Sequence, residues 1–173
     1  MLFNKLIHFV LAVILVLISV ASAQTAPYTR RLTIHPKTRF CLLLPQSIGT
    51  AIATGIDTSV SWCTSSTSVV RNAKKFPTGF IKSAHYKEGS NGRYTQVTGR
   101  IDRYKFGLSS SDQGAQSDPS SVYASYCVGF GYFVQFVEPN ANIYCLRCCY
   151  DASDCPTNQP DKGCKDVIPG DYS

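Results

Sequence analysis

Tyr132-Phe133-Val134-Gln135-Phe136-Val137 is apolar but for one residue and is closed by Glu138-Pro139-Asn140. A run this short, rich in aromatic and β-branched side chains and bounded by a turn, reads as a strand buried on both faces or nearly so. Ile143 to Cys149 follows it. Its Cys145, Cys148 and Cys149 also fit the i, i+3, i+4 spacing of a helix face, but the strand reading is preferred.

Upstream, Gly79 to Tyr86 and Tyr94 to Ile101 alternate in polarity around Gly89-Ser90-Asn91-Gly92, which predicts a β-hairpin over Gly79 to Ile101. Phe40 to Leu44, stopped by Pro45, and Val60 to Cys63 are two further short apolar runs. Nowhere do apolar residues recur at helical spacing over a long stretch. The expected fold class is therefore all-β, a small disulfide-stapled sandwich or barrel. Ser109 to Ser121, made largely of Ser, Asp, Gln and Gly, has little to bury and is expected to be an exposed, mobile loop. No internal repeat and no Asn-x-Ser/Thr sequon occurs, so any glycan would sit on Ser or Thr.

The chain of 173 residues opens with Lys5, an unbroken apolar run from Phe9 to Ile18 and the small residues Ala21-Ser22-Ala23. This is the pattern of a secretory signal peptide over 1–23, too short for the roughly 20 apolar residues of a membrane span. Residues 24–39 read as an N-terminal extension, with Arg30-Arg31 a site for processing after Arg31 or simply exposed arginines, and 40–173 as a single disulfide-rich β domain. The polar ending Asp171-Tyr172-Ser173 lacks the hydrophobic tail of a lipid-anchor signal, so release into the medium, without membrane attachment, is expected.

All 8 cysteines, Cys41, Cys63, Cys127, Cys145, Cys148, Cys149, Cys155 and Cys164, follow the signal. An even number in a chain bound for an oxidising compartment reads as up to four disulfides. Connectivity stays open among about a hundred pairings. If Ile143 to Cys149 is a strand, the adjacent Cys148 and Cys149 point to opposite faces and take different partners. A zinc site is disfavoured because Cys145-x-x-Cys148 has no matching second pair, and no His-Glu-x-x-His motif is present. Neither a metal nor a cofactor is expected.

The whole chain carries +6; without Lys5 the balance is 16 basic to 11 acidic groups, +5, and a cut after Arg31 would leave +3. Mild basicity suits a partner such as an anionic polysaccharide or a cell surface. With no block of like charges, nucleic acid is not an expected partner. The best binding candidates lie where basic and aromatic residues interleave: Tyr94, Arg100, Arg103, Tyr104 and Lys105. Tyrosine rings stack on sugar faces and arginines bond acids or hydroxyls. The competing reading makes this segment a solvated strand face, with Tyr104 and Phe106 partly in the core and Asp102 paired to Arg100 or Arg103.

Tyr94-Thr-Gln-Val-Thr-Gly-Arg-Ile-Asp102, the stretch Glu138 to Cys149, Gly163-Cys164 and Ile168-Pro-Gly-Asp-Tyr172 resemble secreted fungal macrophage-activating glycoproteins. Phe40-Cys41, Trp62-Cys63 and Ala84-His85 fit the same pattern, so the likeness runs from Phe40 to Tyr172. It implies a secreted fungal surface or effector-like protein and supplies no catalytic motif.

Few groups suit acid-base chemistry. His35, His85, Glu88 and Glu138 are the only histidines and glutamates after the signal, and no Gly-x-Ser-x-Gly elbow occurs. His85 and Glu88, with Arg93 or Arg100, would give a ribonuclease-like set; Asp102 with Asp112, or Asp57 with Glu138, would give paired carboxylates for glycoside hydrolysis. The favoured expectation is an extracellular surface or interaction protein binding cell-wall or host glycan. The alternative is a small secreted hydrolase using His85 and Glu88.

Overall fold

The computed structural model describes residues 30–35, 39–65 and 69–173; the predicted signal segment (1–23) and the start of the predicted extension (24–29) lie outside them. The fold is all-β and stapled by four disulfides.

A five-stranded antiparallel sheet carries the molecule, in the order β6 (His85–Glu88), β7 (Tyr94–Arg100), β11 (Ile143–Cys149), β10 (Tyr132–Glu138), β8 (Ala115–Ser117). The run with a single polar member is β10. The cysteine-rich run is β11, the strand reading, paired along its whole length to β7 and β10. The hairpin forms as β6 and β7, with Asn91 in the left-handed region at its turn (φ 57°). Such φ values suit Asn and Gly, because other side chains clash with their own backbone there.

A second sheet comprises β2 (Ile34–His35), β3 (Arg39–Pro45), β4 (Ser59–Cys63) and β5 (Lys74–Lys75). It faces the first across a core of Phe40, Leu42, Leu44, Trp62, Val97, Phe133, Tyr144 and Leu146. Phe40 stacks on Tyr144 with ring centroids 5.4 Å apart, and Trp62 meets Phe106 edge-on at 4.9 Å. A third strand pair, β1 (Arg31–Leu32) with β9 (Tyr126–Cys127), closes one margin.

Strand alternation sends Val134, Phe136, Cys145 and Cys149 to the other face of the large sheet. There a final layer covers them, built from Cys155, Val167, Ile168 and Tyr172 around the single helical turn α1 (Cys164–Val167). The alternation also separates Cys148, bonded to Cys127, from Cys149, bonded to Cys155.

Three expectations need correction. Arg30 to His35, inside the predicted extension 24–39, belong to the domain, since Leu32 is fully buried and Arg31–Leu32 form a strand. Ser109 to Ser121 is not one exposed loop: β8 lies within it, and Gln116, Ser117 and Asp118 are buried. These polar groups can be buried because they bond one another, Gln116 Nε2 donating to Asp118 Oδ2 at 2.6 Å. The third concerns Arg103–Phe106, a 3-10 turn and not a strand, started by Asp102 accepting the Tyr104 N–H at 3.2 Å and ended by Gly107 at φ 69°.

Candidate functional site

The end of β7 and the chain on either side of it build a groove. Ile81 bridges Ile101, and the Lys82 N–H donates to the Arg100 carbonyl at 2.9 Å, which sets Lys82 beside Arg100. Next to them, the Ile101 N–H donates to the carbonyl of Asn142, at the β10–β11 turn. Lys82, Ser83, Arg100, Asp102, Tyr104 and Asn142 are among the residues around a groove of about 340 Å³.

Tyr104 is 73% exposed, yet its ring is held. The Arg103 guanidinium lies 4.6 Å from the ring centroid and donates to the Tyr104 hydroxyl at 2.9 Å, while its other arm reaches the Pro139 carbonyl at 3.4 Å. Arginine covers one face and fixes the hydroxyl. The exposed ring is thereby held in one orientation.

Of the five binding candidates, Arg100 and Tyr104 line this groove and Arg103 supports it. Tyr94 belongs elsewhere: at the opposite end of β7, its ring lies 4.4 Å beneath the Arg147 guanidinium at the edge of the second core. Lys105 is exposed on the 3-10 turn and is not among the lining residues. Asp102, expected to pair with an arginine, spends its carboxylate on the Tyr104 N–H.

His85 and Glu88 are not brought together. Both lie in β6, three residues apart on an extended strand, so their side chains leave from opposite faces. His85 instead meets the C-terminal segment: Nδ1 is 3.3 Å from Asp171 Oδ2, and Nε2 is 3.2 Å from the Ser173 backbone oxygen and 3.5 Å from its hydroxyl. Hydrogen bonds from the Ser173 backbone and hydroxyl, with His85 adding to them, hold the Asp171 carboxyl below its usual value. Serine, histidine and aspartate thus stand in line. Both ring nitrogens thus contact the C-terminal segment, Nε2 lying nearer the Ser173 backbone oxygen than its hydroxyl.

A second cleft, of about 840 Å³, was not signalled by the aromatic-basic segment. Arg30, Arg31, Asp57, Arg71, Tyr123 and Tyr126 line it, and it shares no residue with the groove. Arg30 builds its wall by donating to the carbonyls of Asp57 (2.6 Å), Tyr123 (3.0 Å) and Ser59 (3.1 Å). The Arg31 guanidinium lies 5.5 Å from the Tyr126 ring centroid. In sequence the only hint was the dibasic pair, and the fold alone gathers it with Arg71 and two tyrosines from distant positions.

All eight cysteines are in disulfides, and among the described residues no three His, Cys, Asp or Glu side chains gather as a metal site. Among the same residues no helix is long and apolar enough to cross a membrane. Comparisons with protein-family models, curated proteins and solved structures give no match to the chain.

Proposed function

We propose that the protein acts outside the cell as a surface or interaction protein whose groove at Lys82, Arg100 and Tyr104 binds a glycan of the cell wall or of a host surface. The observation that supports this reading is the Tyr104 ring, exposed, clamped on one face by Arg103 and bordered by donors and an acceptor suited to sugar hydroxyls. Four disulfides fit an oxidising compartment, and the resemblance to fungal macrophage-activating glycoproteins agrees with an extracellular role.

Arrayed neutral oligosaccharides of glucose, mannose and N-acetylglucosamine should identify a ligand, and calorimetric titration of variants then tests the groove. Tyr104→Ala is expected to weaken binding at least about tenfold at any ionic strength. Lys82→Ala with Arg100→Ala should also weaken it, with little salt dependence, because a neutral sugar presents hydroxyls to these donors and no charge for salt to screen. Glu88→Ala, at a residue outside the groove lining, should leave it intact. Binding indifferent to both Tyr104 and Arg100 would reject the groove as the site.

A further inference from the structure

We propose that the arginine cleft is a second binding site, for an oligosaccharide bearing carboxylates, that is, a chain of uronic acid residues. The proposal stands apart from the groove.

The cleft's volume of about 840 Å³ falls in the range of built ligand sites, roughly 300 to 1,000 Å³. Its charge comes from three arginines against one carboxylate, Asp57. Their duties differ. Arg30 is committed to three backbone carbonyls, so it shapes the wall and lends only its field. Arg71 is exposed and has no hydrogen-bond or ion-pair partner among the described residues, so its planar fork can receive a carboxylate two-pronged.

Tyr123 is 85% exposed on an anchored backbone: Val122 before it is buried, Arg30 bonds its carbonyl, and the Ser125 hydroxyl donates to the Val122 carbonyl at 2.5 Å. The turn that buries Val122 in the main core thus also holds the Tyr123 ring out in solvent at the cleft. Two non-glycine residues with left-handed backbone, Asn72 (φ 59°) and Ala124 (φ 56°), also line this one cleft. Alanine has no side-chain hydrogen bond to compensate that conformation, and backbone held in such regions gathers at ligand sites.

The mixture of groups selects the ligand. Asp57, Thr58, Gln46 and Asn72 offer partners for hydroxyls, and a carboxylate in the wall opposes a densely charged phosphate backbone. A hydroxyl-rich chain with spaced carboxylates satisfies both features. A polynucleotide does not.

The test uses the secreted, disulfide-intact protein and a galacturonic acid oligomer, titrated calorimetrically beside a neutral galactose oligomer and a single-stranded oligonucleotide of similar charge. The uronate should bind at least about tenfold more tightly than either. Arg71→Ala should remove at least about tenfold of that affinity and Arg71→Lys should restore only part, since lysine keeps the charge and loses the fork. Tyr123→Ala should weaken binding with little salt dependence. Both side chains are exposed, so thermal midpoints should match the parent's. A saturating neutral ligand of the groove should not displace the uronate, which keeps failure of the groove distinct from failure of the cleft. No uronate binding, uronate binding unchanged by Arg71→Ala, or an oligonucleotide bound as tightly as the uronate would overturn the proposal.

Discussion

Gln135 stands in the middle of β10, yet its side chain takes the place of a missing strand. Its Oε1 accepts the Leu43 N–H and its Nε2 donates to the Leu43 carbonyl, both at 2.8 Å, across the core from the other sheet. Leu43 is opposite Ser61 of β4, two residues on from the close Cys41–Cys63 pair (Cα–Cα 4.0 Å), so its polar groups point away from β4 and would be buried without partners. Gln135→Leu therefore orphans two buried backbone groups. At about 1 to 3 kcal/mol each, we expect a loss of about 2 to 6 kcal/mol, read as a lower urea midpoint with an unchanged slope. The apolar pattern around Gln135 was legible as a buried strand. The purpose of the glutamine was not, because its partner lies 92 residues away and sequence pattern carries no inter-sheet geometry.

At the scale of elements, composition misled where polar side chains bond each other. Burial pushes the Asp118 carboxyl up, but hydrogen bonds from Ser120, Gln116 and Ser121 outweigh it and hold the group below its usual value. A depressed carboxylate stabilises the fold fully above its unfolded value, about 3.9, and that contribution is lost as pH falls through the lower folded value. Asp118→Asn should thus cost about 1 to 3 kcal/mol near neutral pH, with the two stability curves converging in acid. Limited proteolysis should spare Ala115–Ser117 and cut, if anywhere in this stretch, within the exposed residues 109–111. The 3-10 turn at Arg103–Phe106 escaped for a related reason: Tyr104 and Phe106 alternate with Arg103 and Lys105 as in a strand, and only the Asp102 cap and Gly107 distinguish the two forms. Where the apolar pattern alone determines the element, by alternation in β7 and by short apolar runs in β10 and β11, the reading agrees with the structure.

For the whole molecule, the large sheet is a wall shared by two cores, and each side has its own staples. Cys127–Cys148 fastens the sandwich side, while Cys145–Cys164 and Cys149–Cys155 tie the final layer to β11. That layer has one helical turn and few apolar groups, so it depends on being held: Gln96 Nε2 donates to the Pro169 carbonyl at 3.0 Å, Thr98 Oγ1 to the Asp171 carbonyl at 2.6 Å, and the Tyr172 hydroxyl to the Ile168 carbonyl at 2.7 Å. The parity of the cysteines and the divergence of Cys148 from Cys149 were readable; the pairing was not, because it depends on which face each layer covers. Converting Cys145 and Cys164 together to Ser opens a loop of separation 19, worth about 3 kcal/mol in the unfolded chain, against about 2 kcal/mol for the six-residue separation of Cys149–Cys155. Hydrogen exchange should then speed at Val167 and Ile168 while β3 and β4 stay protected, as expected of a layer that opens by itself. Ser173 lines the groove, and no residue of the final layer lines the arginine cleft, so the same variant should weaken sugar binding at Tyr104 and spare uronate binding at Arg71. Equal loss of protection in both sheets would show instead that the layer and the sandwich unfold as one unit.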